Sequence, residues 1–262
     1  MLSKEELKSF LDFKYEQYNC KSFIDDDPVQ IPHMFANFED VEISAFLTSL
    51  VSWGSRKQIV KAGRNLMQIM DFCPYDFVMK SSSNDLSGLS KFVYRTFNSS
   101  DVVGFIHALR NVYNQHGNLE SAFAGLSAHD NSIGSRISLF RQRMINTGLP
   151  LRSHRHLPDP RTGSAAKRMN MFLRWMVRKD SRGVDFGIWK SITPGELICP
   201  LDLHSGNIAR ALGLLIRKQN DWKAAEELTN NLRTFDAIDP VKYDFALFGT
   251  GWYEKKNQSR DK

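Results

Sequence analysis

A lysine and an aspartate are the residues of this chain best placed to do chemistry. Lys167 lies in the most basic stretch of the sequence, and Asp202 follows in Pro200-Leu201-Asp202-Leu203-His204. The carboxylate stands where a helix should begin, directly before Leu203-His204-Ser205-Gly206-Asn207-Ile208. A positioned amine facing such a carboxylate can attack a sugar carbon and stabilise the cation that forms there. The plainer alternatives stay open. As a simple N-cap accepting from His204 or Ser205, Asp202 would contribute about 1 kcal/mol. A lysine without a special frame is ordinarily a solvated surface group.

Both residues need helices to hold them. Leu157-Pro158-Asp159-Pro160-Arg161-Thr162-Gly163-Ser164-Ala165-Ala166-Lys167 reads as a tight connection: the prolines impose an extended approach and Gly163 permits a positive φ. Ser164 is the expected cap of a helix over 164–178, whose free backbone amides would seat a phosphate. An ordinary helix–loop–helix link is the alternative. Upstream, Ser3 with Glu6 forms a capping box for a helix through Leu7, Phe10, Leu11 and Tyr18. Further helices are expected over 40–51, from Ser55 past Ile59 and Met70, over 98–116 and over 132–146. The last ones begin at Asp202, at Asp221 and at Asp239-Pro240. No alternating strand pattern is present, so the expected class is all-α. Residues 25–32 and 81–90 read as linkers.

The net charge of +6 is unevenly spread. Residues 1–50 carry ten acids and four bases, whereas 151–200 carry ten bases and four acids. Such asymmetry suits a polyanion-binding surface, although a solvated helix face would look the same. A hydrophobic fraction of 42% with eighteen Phe excludes a disordered chain. No run of about eighteen apolar residues exists, which argues against a membrane span, and the start lacks a signal-peptide pattern. Cys20, Cys73 and Cys199 show no metal-ligand spacing and are expected to be buried, inert thiols. A Gly-x-Ser-x-Gly elbow, a P-loop, His-Glu-x-x-His and a dinucleotide-binding glycine pattern are all missing from the sequence.

The order of these parts resembles the helix-hairpin-helix DNA glycosylase superfamily. Its members carry a Leu-Pro-x-x-Gly hairpin, a lysine on the helix leaving it, and a Val-Asp-type segment opening another helix that ends in Leu-Gly-Leu. The matching pieces are Leu157-Pro158 with Gly163, then Lys167, then Leu201-Asp202-Leu203-His204 and Leu212-Gly213-Leu214. The interval from lysine to aspartate is most similar to the archaeal 8-oxoguanine DNA glycosylase branch. Residues 40–66, especially Ile43-Ser44-Ala45-Phe46-Leu47-Thr48-Ser49, resemble the helix pair that opens the glycosylase barrel. The hairpin here carries two residues more between Leu-Pro and Gly than the family pattern. The iron–sulfur cysteines of the endonuclease-III-like branch are absent.

The resemblance implies one two-lobed unit over 1–262 with a cleft between lobes. A barrel lobe with the hairpin would span 40–178, and a second lobe would combine 1–39 with 179–262. It implies a cytoplasmic, monomeric base-excision repair enzyme with no cofactor, metal or iron–sulfur cluster. The partner would be double-stranded DNA holding a damaged purine, 8-oxoguanine by branch. Lys167 would form a Schiff base with the sugar, and Asp202 would stabilise the oxocarbenium ion. Trp53, Phe248 and Trp252 are candidate walls for an extruded base, with a core role open for Trp53. Arg56, Lys57, His154, Arg155, His156, Gly163, Ser164 and His204 are candidate phosphate contacts. The alternative function is a non-catalytic helical DNA- or RNA-binding protein that retains the hairpin. A helical scaffold for a protein partner is a third.

Overall fold

The computed structural model describes residues 2–124 and 131–254. Helices dominate it in the order α1 (Lys4–Tyr18), α2 (Lys21–Asp26), α3 (Phe38–Val51), α4 (Arg56–Ile69), α5 (Pro74–Lys80), α6 (Ser83–Ser87) and α7 (Ser99–His116). Then follow α8 (Leu119–Phe123), α9 (Ile133–Asn146), α10 (Lys167–Val177), α11 (Leu203–Ala211), α12 (Trp222–Arg233) and α13 (Asp244–Gly249). Among the described residues the strands are β1 (Val93–Tyr94) and β2 (Phe97–Asn98), an antiparallel hairpin pairing Val93 with Asn98 and Tyr94 with Phe97. The protein is essentially all-α, and no described helix is long and apolar enough to cross a membrane.

Two compact units divide the chain: Ile24–Arg161, and Met1–Phe23 with Thr162–Lys262. The boundaries expected at 39/40 and 178/179 therefore fall inside these units. The helix that carries Lys167 clusters with the two chain ends and not with residues 40–161.

In Ile24–Arg161 the centre is α3, buried on every side from Val41 to Val51. A helix buried all round must satisfy its own polar groups. Ser44, Ser49 and Ser52 return their hydroxyls to the carbonyls of Val41, Phe46 and Thr48. The Glu42 carboxylate accepts from the Tyr113 hydroxyl and from the amides of Leu119 and Glu120, so it also caps α8. Around α3, Phe46 meets Phe105 and Phe140 edge-on, and Phe123 stacks on Phe140 with centroids 4.0 Å apart.

In the other unit α1 and α11 pack on α13. The stretch after α10 is irregular yet ordered. Phe186 and Trp189 donate their amides to the carbonyls of Trp175 and Met176, which closes the C-terminal end of α10. Arg178 is held in a buried network with Asp180, Asp185 and Asp239.

Several expectations are corrected. Residues 25–32 are not a linker: they form the end of α2 and 3-10 turns, with Val29 and Ile31 fully buried. Residues 81–90 form α6 and a 3-10 turn that buries Leu89. Only Cys199 of the three cysteines is buried; Cys73 is exposed at the start of α5 and Cys20 is half-buried. α10 begins at Lys167 and not at Ser164, because Ala166 adopts a left-handed φ of 47° that breaks the helical path.

Candidate functional site

Asp202 is the N-cap of α11. Its Oδ1 accepts from the amides of His204 (2.8 Å) and Ser205 (3.0 Å), while its own amide donates to the Ser205 hydroxyl. That capping box commits one carboxylate oxygen and fixes the rotamer. The other oxygen, Oδ2, lies 3.9 Å from the Nζ of Lys167, the first residue of α10. Both side chains keep some access to solvent, 28% for the lysine and 24% for the aspartate. The Lys167 amine also approaches the Met171 sulfur one turn along the helix, at 3.7 Å.

A second carboxylate stands behind the pair. Asp244, at the start of α13, is buried and hydrogen-bonds to the Arg174 guanidinium, which also reaches Asp185 at 3.3 Å. Burial pushes the Asp244 carboxyl up to about 6; Arg174 and Lys167 oppose the rise, and the charges of Asp202 and Asp185 add to it. The same field, chiefly through burial, drives the Cys199 thiol well above its ordinary range. That thiol is no nucleophile.

Three more residues gather around the mouth of α11. The His204 ring meets Phe248 and Trp252 edge-on, at 6.2 and 5.3 Å between centroids. Phe248 and Trp252 lie nearly parallel, with 9° between their planes. All three are half-buried, so part of each ring faces solvent. The predicted Lys167, Asp202, His204, Phe248 and Trp252 thus come together in Met1–Phe23 with Thr162–Lys262.

The hairpin candidates have the following places. Gly163 holds φ 89°, a conformation that favours glycine, and its carbonyl accepts from the Trp222 amide. Ser164 caps no helix; its hydroxyl accepts from Ala166, and its backbone bridges to Asp221. The preceding segment is made of 3-10 turns, Leu151–His156 and Pro160–Thr162.

Trp53, Arg56, Lys57, His154, Arg155 and His156 belong to Ile24–Arg161. Trp53 is half-buried, edge-on to Tyr94 and stacked on His156. His156 is buried between Trp53 and Phe97, with Nε2 3.6 Å from Asp101, which keeps it from a phosphate in solvent. Arg56 pairs with Asp27 at 2.6 Å and is also spent inside the fold. His154 bonds the Leu149 carbonyl and Arg155 the Thr96 carbonyl. Lys57 is exposed.

Sequence reasoning missed Arg174 and Asp244. A signal existed for the first: an arginine inside Asn170-Met171-Phe172-Leu173-Arg174-Trp175-Met176-Val177 must be buried and therefore paired. No group of three His, Cys, Asp or Glu among the described residues is placed to hold a metal ion.

No curated protein and no solved structure matches the chain. Residues 27–253, which include Lys167, Asp202, Asp244 and the aromatic group, match the family described as Protein of unknown function (DUF2400). The chain belongs to that family.

Proposed function

We propose that this chain is a cytoplasmic, monomeric DNA glycosylase with AP-lyase activity, acting on a damaged purine such as 8-oxoguanine in double-stranded DNA. The observation that carries the reading is the 3.9 Å approach of the Lys167 amine to Asp202 Oδ2, with Oδ1 already committed to the cap of α11. A carboxylate fixed in this way needs no reorganisation as positive charge develops on a sugar.

In the proposed reaction the glycosidic bond breaks with the base as leaving group, and the neutral Lys167 nitrogen bonds to C1′. The nitrogen's proton passes to a nearby base, for which Asp202 is placed. Ring opening gives the protonated Schiff base; loss of a C2′ proton then expels the 3′ phosphate. The parallel rings of Phe248 and Trp252, joined by His204, offer a stacking surface beside the same helix mouth.

Borohydride trapping tests this directly. A duplex carrying an abasic site or 8-oxoguanine should give a covalent adduct with the native protein and none with Lys167→Gln. Asp202→Asn keeps the cap, since asparagine is an equally good N-cap, and removes only the charge. It should slow adduct formation by about 10²–10³-fold, the range for losing a preorganised electrostatic contact. If the native protein yields no adduct with either duplex, the lyase reading fails and a non-catalytic nucleic-acid-binding role replaces it.

A further inference from the structure

The sequence concentrates positive charge in residues 151–200, where the fold buries Arg174 and Arg178 in carboxylate networks. A second set of cations lines a groove in Ile24–Arg161. The groove, of about 710 Å³, runs between the outer face of α4 and the β1–β2 hairpin. Four of its lining residues are Lys57, Lys61, Arg64 and Arg95, and none of the lining residues is acidic. All four are exposed, and among the described residues none of them is ion-paired with a carboxylate. Arg64 donates to the Gln30 side-chain oxygen.

Two local features mark the groove. α4 has no acid in its first turn and places Lys57 there, against the helix dipole. Arg95 takes φ 54° in the two-residue turn of the hairpin, a position that glycine ordinarily fills. Its guanidinium lies over Gly54, whose φ of 101° favours glycine, and beside Tyr94, whose hydroxyl donates to the Trp53 carbonyl.

We infer that this groove binds the phosphodiester backbone of a nucleic acid through Lys57, Lys61, Arg64 and Arg95. Lys57, Lys61 and Arg64 follow one another by about a turn along α4, roughly 6 Å and then roughly 4.5 Å of axis. A B-form strand offers one phosphate per about 3.4 Å of axis, so each cation meets at least one. Gln58, Asn65 and Gln68 supply neutral donors suited to phosphate and sugar oxygens. An acidic peptide is the competing occupant, and the polyglutamate arm of the experiment below separates the two. The groove shares the nucleic-acid partner of the lyase reading and none of its chemistry.

Fluorescence anisotropy with a short labelled duplex, and with one of its strands, over a salt series tests the groove. Lys57→Glu/Lys61→Glu/Arg95→Glu should weaken binding at least about tenfold at low salt. It should also flatten the slope of log K against log salt by about 0.9 for each phosphate that is no longer neutralised. Lys57→Gln/Lys61→Gln/Arg95→Gln should fall between that variant and the native protein, and it decides the matter if charge reversal prevents folding. Unchanged affinity and slope in the glutamine variant would overturn the inference, as would tighter binding of labelled polyglutamate than of either nucleic acid. Trapping at Lys167 reads covalent chemistry and anisotropy reads affinity, so either proposal can fail while the other stands.

Discussion

α10 carries two cation–carboxylate pairs, at its first residue and two turns further on, and they are built differently. Arg174 and its partners Asp185 and Asp244 are almost fully enclosed, with side-chain exposures of 4%, 0% and 8%. Lys167 and Asp202 keep 28% and 24%, and their closest atoms stand off at 3.9 Å. The inner set is a load on stability that must remain matched, because enclosed charges without partners are expensive. The outer pair is loosely engaged and open on one side, which is what a reacting amine requires. One helix thus anchors itself in its last turn and leaves the amine of its first residue accessible.

The inner set should fail hardest. Arg174→Met removes the one side chain that reaches both Asp185 and Asp244, leaving Asp244 enclosed without its guanidinium while Asp185 keeps Arg178. Urea denaturation should show a loss of about 3–5 kcal/mol, the range for breaking a buried pair from one side. A loss under about 1 kcal/mol would mean that neither carboxylate depends on Arg174, and the contrast with Lys167 would dissolve.

Asp244 gives that contrast a pH signature. Its carboxyl holds its proton up to about pH 6 in the fold and releases it near 3.9 in the unfolded chain. Between these values the folded state binds more protons, so this residue's contribution is complete below about pH 4 and declines as pH rises to 6. Asp244→Asn lacks that titration. Relative to the native protein its stability should therefore improve by about 2–3 kcal/mol between pH 4 and 7. Asp180 and Asp236, whose carboxyls Arg178 and Lys242 hold low against the cost of burial, slope the other way. They are present in both proteins and cancel in the difference. Parallel melting curves for the two proteins over this range would remove Asp244 from the account.

The sequence was legible wherever a local signal decides structure. Ser3, Asp202 and Asp221 cap the helices they were expected to cap, because a short side chain meeting a free backbone amide needs little from the rest of the fold. Ser55 and Asp239 stand where caps were expected but make no side-chain cap bond, and Asp239 opens a 3-10 turn before α13 begins at Asp244. What was missed depends on partners distant in the chain. The start of α10 shifted by three residues because Ser164 bridges to Asp221 and Gly163 bonds Trp222, contacts that 157–167 alone cannot announce. Residues 25–32 looked like a linker since their polar residues stand out, yet Ile31 packs against Gly63 and Asp27 takes Arg56. Charge was a misleading cue: Arg174 and Arg178 of the basic run 151–200 turned inward, and the exposed row on α4 drew notice only at Lys57. Composition counts charges without saying which ones find a carboxylate.

The first residue of α10 should answer the opposite way from its last turn. Lys167→Gln keeps half of the aliphatic stem and removes a charge that is partly exposed and 3.9 Å from its partner, so stability should move by no more than about 0.5 kcal/mol, as for most exposed ion pairs. Asp202→Ala should cost more, about 1 kcal/mol, because it deletes the cap of α11 as well as the charge, while Asp202→Asn should restore most of that loss. A thermal melt of the three variants separates the cap from the ion pair. If Lys167→Gln proves as damaging as Arg174→Met, the amine is a structural member like its neighbour along the helix, and the openness of the outer pair loses its meaning. If instead it melts with the native protein, the residue contributes little to the fold, as the proposed nucleophilic role requires.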